Sequence, residues 1–159
     1  MDRTQKIILA VVALVLALAL VVVLLVVTRK EQGQFMPPPF EEAAVQGAPT
    51  VSDAALRYSY VKITDTLALG LCAACEVDDS GLRIYFTSLE HNTAWVRVKV
   101  QDEKGKLLGE SGLLRPGEYV EHVALSAFPK GDTLRIKVLS YEPETYYSLG
   151  SAELTVNIK

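Results

Sequence analysis

Histidine, cysteine and tryptophan are scarce in this chain, whose 159 residues include two His, two Cys and one Trp. A zinc site would have to recruit both histidines, His91 and His122, which lie far apart and lack the short spacing of a finger. No G-x-S-x-G, H-E-x-x-H or phosphate-cradling glycine loop occurs, so none of the usual catalytic constellations is present in sequence. Glu118 and Glu121 come nearest to paired carboxylates, and near a strand start they read as solvated charges. Asp78-Asp79-Ser80 lacks the alternating oxygen ligands of a calcium loop and reads as a turn. The expectation is a protein that is not an enzyme and uses no metal or cofactor.

Basic residues are also in short supply after Lys30. Setting aside Arg3, Lys6, Arg29, Lys30 and Asp2 leaves 12 basic against 18 acidic residues, a formal charge of −6. Such a surface repels phosphate backbones, and no local stripe of Lys and Arg offsets it, so nucleic acid is not an expected partner.

What is abundant is apolar sequence near the N-terminus. Residues Ile7 to Val27, IILAVVALVLALALVVVLLVV, contain no polar side chain. As a helix this run is about 31 Å long at about 1.5 Å per residue, which matches the hydrocarbon core of a bilayer. A cleaved signal peptide has a shorter apolar stretch, roughly 7–15 residues, and ends in a small-residue cleavage site. This run instead ends in Val26-Val27-Thr28-Arg29-Lys30. The expectation is an uncleaved, single-pass transmembrane helix over 7–28, with 1–6 cytoplasmic and the C-terminal domain extracellular. Arg3 and Lys6 before the span, and Arg29 and Lys30 after it, give the positive-inside rule little asymmetry, and the short free N-terminus tips the orientation. Ala13 and Ala17 form a small-x-x-x-small pair that would let two helices approach in an oligomer, although alanine is common throughout the span.

From Glu31 to Asp53 the composition shifts to EQGQFMPPPFEEAAVQGAPTVSD, with three consecutive prolines at Pro37 to Pro39. Prolines impose polyproline II locally and the rest behaves as coil, so a Pro-containing linker is expected over 29–54. After it, apolar and polar residues alternate with a period of two. In AWVRVKV, Val96, Val98 and Val100 share one face while Trp95, Arg97 and Lys99 take the other; TLRIKVL repeats this with Leu134, Ile136 and Val138. Turn signals separate such runs, including Arg115-Pro116-Gly117, where proline followed by glycine presets a type II turn. Strands are predicted near 57–63, 67–77, 82–88, 94–101, 106–110, 118–125, 133–141 and 147–158. That spacing predicts an all-β domain over 55–159, an immunoglobulin-like antiparallel β-sandwich of seven or eight strands.

Both cysteines fall in LGLCAACEV, as Cys72 and Cys75. A thioredoxin-type site needs this C-x-x-C at a helix N-terminus, and here it runs into a strand end and turn. On a regular strand, residues three apart lie roughly 10 Å apart on opposite faces, beyond the reach of a disulfide. A bond between them therefore requires a break at Ala73-Ala74. Unbonded strand cysteines, a local disulfide, an intermolecular link, and redox or metal chemistry all stand open on sequence.

The stretch most like a contact surface is YEPETYYSLG, which holds Tyr141, Tyr146 and Tyr147, three of the seven tyrosines. Tyrosine offers large, rigid contact area with few torsions to freeze, as in binding loops at sandwich ends. The plainer reading is that Tyr141 and Tyr147 cover the open end of the core. Trp95, on the polar face of its strand, is a second aromatic candidate.

The segments SLEHNTAWVRVKV, KLLGESGLLRPGEYVEHVALS and KVLSYEPETYYSLGSAELTV resemble those of uncharacterised small single-span membrane proteins of Firmicutes with an extracellular immunoglobulin-like β-sandwich. The resemblance covers about the last half of the chain. It implies a Gram-positive cell-surface location, weakens the disulfide reading because many such bacteria are anaerobes, and carries over no catalytic residues. The leading expectation is a membrane-anchored module with a protein-binding or envelope-assembly role. The alternatives are an envelope redox or metal-dependent factor using Cys72 and Cys75, and a receptor for a sugar or cell-wall ligand stacking on Trp95 and Tyr146.

Overall fold

The computed structural model describes Asp2, Arg3, Gln5, residues 12–21 and residues 36–159. The chain divides into two compact units, Met1–Pro37 and Pro38–Lys159. In the first, residues 12–21 are helical and their leucines and valines are exposed. Among the described residues no helix is long and apolar enough to cross a membrane. The ends of the expected span, 7–11 and 22–28, lie outside those residues.

The second unit is all-β. Its strands are β1 (Val45–Gln46), β2 (Tyr58–Thr64), β3 (Leu67–Cys72), β4 (Ala74–Asp78), β5 (Gly81–Ser88), β6 (Trp95–Gln101), β7 (Leu107–Glu110), β8 (Glu118–Val123), β9 (Thr133–Tyr141) and β10 (Ser148–Ile158). One turn of 3-10 helix, Ala54–Leu56, precedes β2, and the Asp53 side chain caps it by accepting the Ala55 N–H at 2.8 Å. Every segment expected as a strand forms one, because the period-two pattern places alternate apolar side chains on a single buried face. Val96, Val98 and Val100 on β6, and Leu134, Ile136 and Val138 on β9, all lie in the core beside Leu82, Ile84 and Phe86 of β5.

Two elements depart from expectation. The strand expected over 67–77 is interrupted at Ala73, and its halves find different outer neighbours. β3 and β4 both pair with β5 on one side; on the other, β3 holds β2 while β4 holds β10. The β4–β10 ladder is parallel and all other ladders between named strands are antiparallel. Through it the strands join in the order β1-β8-β5-β4-β10-β9-β6-β7, a single hydrogen-bonded sheet curled around the core.

The second departure lies within the linker expected over 29–54, where residues from Pro39 onward hydrogen-bond to the β unit. The Leu113 N–H donates to the Pro39 carbonyl at 2.8 Å, the Glu41 N–H to the Leu113 carbonyl at 2.9 Å, and the Gly47 N–H to the Gly117 carbonyl at 2.7 Å. The Glu41 carboxylate accepts the Gly112 N–H at 2.7 Å. Backbone groups leaving the proline run thus find partners on the 112–118 segment, and residues from Pro38 onward belong to the β unit. The Arg115-Pro116-Gly117 turn that receives them closes with the Glu118 N–H donating to the Arg115 carbonyl at 3.1 Å. Gly117 takes φ +80°, as a type II turn requires.

Candidate functional site

Trp95 opens β6 directly opposite Tyr141 of β9, so the two side chains leave the sheet on the same outer face. Phe40 meets the indole edge-to-face with ring centroids 4.9 Å apart, and Tyr146 does the same at 5.2 Å. The Arg115 guanidinium lies over the Phe40 ring, 3.6 Å from its centroid. This row of a cation and three rings uses the edge-to-face geometry that aromatic quadrupoles favour. Of the four aromatic residues singled out in the sequence, Trp95, Tyr141 and Tyr146 are thereby half-buried, while Tyr147 is 73% exposed.

The β9–β10 loop that carries the tyrosines is tightly shaped. The Glu142 N–H donates to the Tyr147 carbonyl at 2.8 Å and the Tyr146 N–H to the Glu142 carbonyl at 3.0 Å. The Thr145 hydroxyl donates to the Glu142 carboxylate at 2.6 Å. Glu144 and Tyr146 sit at φ +69° and +59°, a region that bulky residues occupy only when their surroundings hold them there. The Tyr146–Trp95 contact is part of that hold. The loop presents Tyr147 and, at the start of β10, Leu149 on a preformed frame.

Phe40 and Arg115 were missed in the sequence, where Phe40 lay in the expected linker and Arg115 in a turn. The one signal available was an aromatic residue next to a proline run in an otherwise polar stretch.

Cys72 and Cys75 are free and fully buried in the same hydrophobic cluster. The opposite-face placement expected of a regular strand is corrected by the break at Ala73, where the backbone changes partner: the Ala73 N–H donates to Arg57 at 3.2 Å and its carbonyl accepts from Asn157 at 3.0 Å. That interruption turns both side chains inward, and the Cys75 thiol donates to the Cys72 carbonyl at 3.4 Å. Burial pushes the Cys72 thiol up to about 11 and the Cys75 thiol up to about 12. The thiolates that redox exchange and metal ligation need are therefore strongly disfavoured here.

A charged network covers the outer face of β4, β5 and β8. Arg83 lies 3.2 Å from Glu76, 3.6 Å from Asp78 and 3.5 Å from Glu121. The His122 ring stands 3.1 Å from Asp78 and 3.3 Å from the Arg83 Nε. An extra residue on β5 between the Arg83–His122 and Phe86–Val120 pairs, with Tyr85 at φ +50°, is a β-bulge. Across it the Tyr85 hydroxyl donates to Glu121 at 2.9 Å. The Ser80 N–H, followed by His122, holds the Asp78 carboxyl below its ordinary range. Arg83 thus pairs with carboxylates of both neighbouring strands, an arrangement that ties β4, β5 and β8 together. Glu118 is occupied elsewhere, accepting the Arg115 N–H at 2.7 Å. Among the described residues no group of three or more His, Cys, Asp or Glu side chains is placed to hold a metal ion.

Compared with protein-family models, with curated proteins and with solved structures, the chain matches none of them significantly.

Proposed function

We propose that the chain is a membrane-anchored extracellular module, of immunoglobulin-like sandwich type, that binds another protein and performs no chemistry. The anchor in this reading is the apolar run over 7–28. The observation that carries the reading is the β9–β10 loop: a hydrogen-bonded frame offering exposed Tyr147 and Leu149 beside a stretch of β10 that pairs with β9 on one edge and, among the described residues, with no strand on the other. Preformed, tyrosine-bearing loops bind with little ordering cost, which suits recognition of a protein surface. The resemblance to single-span Firmicutes surface proteins supports the same location, the Gram-positive cell surface.

The competing readings have less support. A sugar receptor would need an open aromatic face at Trp95, whereas Phe40 and Tyr146 both pack against its ring. A redox or metal-dependent factor would need accessible thiolates, whereas Cys72 and Cys75 are buried and held protonated. Cross-linking in native membranes followed by mass spectrometry tests the proposal. Adducts joining this chain to another protein are expected, and recovery of the monomer alone under dense cross-linking would count against it.

A further inference from the structure

The break at Ala73 leaves a seam. Strands β3 and β4 run end to end along β5, and their other side is shared between β2, beside β3, and β10, beside β4. The β4–β10 ladder contains only Asn157 and Ile158 of β10. From Ser148 to Val156, β10 therefore has β9 on one side and, among the described residues, no strand on the other. Among the described residues β2 likewise pairs only with β3. Between these two free edges lies a cavity of about 100 Å³ walled by Ser59 and Val61 of β2, Leu71 and Ala73, and Leu154 and Val156 of β10.

Its walls are mostly aliphatic, and Val61 and Leu154 are only partly covered although both pack against the core. The volume suits one aliphatic side chain. Free strand edges present alternating N–H and C=O groups that another extended chain satisfies, and proteins blunt such edges with proline or lysine. β10 carries neither before Lys159, and the one lysine of β2, Lys62, is paired with Asp65 at 2.7 Å. Charge narrows the occupant further. Between Lys137 and Lys159 the chain has no basic residue and three acidic ones, Glu142 and Glu144 in the loop and Glu153 on β10, the last 3.9 Å from Lys137.

We propose that the seam between β2 and β10 receives an extended segment of a partner protein, which adds as a strand, seats one aliphatic side chain between Val61 and Leu154, and carries Lys or Arg at its flanks. Backbone pairing supplies adhesion in this mode of recognition, and the socket and flanking charges supply specificity. The proposal rests on the protein-binding reading above and names the mode of binding.

The test uses the full chain in detergent micelles with three synthetic peptides. One alternates Val and Thr between terminal lysines, the second has aspartates in place of the lysines, and the third is the lysine peptide N-methylated at alternate backbone nitrogens. The lysine peptide is expected to bind and to slow hydrogen–deuterium exchange in 148–156 and 58–64. The aspartate peptide is expected to bind about tenfold more weakly or worse, and N-methylation to abolish binding. The double variant E144K/E153K, altered only at exposed positions, is expected to melt like the parent and to bind the lysine peptide about tenfold more weakly.

No binding by the lysine peptide, protection elsewhere in the domain, or equal binding of the aspartate peptide overturns the proposal. So does a homodimer whose β10 amides are protected before any peptide is added, since a second copy is then the occupant. Partner adducts in native membranes from a chain whose seam binds nothing would leave the protein-binding reading standing and remove this one. Peptide binding at the seam with no adducts in membranes would do the reverse.

Discussion

Trp95 and Tyr147 were both candidate contact aromatics in the sequence, Trp95 on the polar face of its strand and Tyr147 in the loop before the last strand. They separate in the fold because Phe40 and Tyr146 pack on the indole, whereas Tyr147 faces solvent. Each edge-to-face pair contributes about 0.5–1.5 kcal/mol beyond area burial, so Trp95→Ala is expected to lower unfolding stability by about 2 kcal/mol in urea titration. Tyr147→Ala is expected to leave it unchanged within about 0.5 kcal/mol, as exposed positions do. The contrast was illegible in the sequence because the docking of Phe40 on Trp95 joins residues far apart along the chain, which no local pattern signals. The thiols gave a second lesson at this scale. Their motif lies where β3 ends and β4 begins, a strict period of two assigned them to opposite faces, and a one-residue interruption at Ala73 buries both.

The buried thiols also predict how stability depends on pH. An unfolded chain releases these protons near the ordinary thiol value of 9.0, while burial holds them in the folded chain to about 11 for Cys72 and about 12 for Cys75. Between those values the native state binds more protons than the unfolded state, so stability is complete below about pH 9 and falls as pH rises toward 11–12. Tyr58, raised by burial from 10.0 to about 12, acts with the same sign. Urea midpoints followed from neutral to alkaline pH should fall steadily, and less steeply in the double variant C72A/C75A. An equal slope in that variant would show that the thiols are not responsible.

At the scale of elements, the strands were legible almost end to end because each one signals locally, by alternation and by the turn chemistry at its limits. Arg115-Pro116-Gly117 closes as its composition demands. What local pattern does not carry is which strand pairs with which, and here it missed that the outer neighbour changes from β2 beside β3 to β10 beside β4. It missed equally that the segment after Pro38 is bound to the domain. That docking depends on close backbone approach at Gly112, where a methyl group would stand 2.5 Å from the Glu41 nitrogen and 2.6 Å from its Cα. Gly112→Ala is therefore expected to displace residues 39–47 while leaving the β core folded. Limited proteolysis should show new cleavage within that segment, and an unchanged digestion pattern would contradict the close packing.

For the molecule as a whole, the charge and the absence of catalytic motifs narrowed function by exclusion, and the surface now gives the reading places to be tested. The loop bearing Tyr147 and the β10 edge that faces away from β9 adjoin one another along the chain, while the Asp102–Lys106 turn between β6 and β7 is fixed by its own hydrogen bonds, with Asp102 accepting the Lys104 and Lys106 N–H groups at 2.9 and 2.8 Å. The most direct measurement places a photo-activated cross-linking residue singly at Tyr147, Thr155 or Lys104 in the full chain in native membranes. Adducts to a second protein from Tyr147 and Thr155, and none from Lys104, are the predicted result. Adducts from none of the three, or equally from all, would contradict the account of this protein as a docking module.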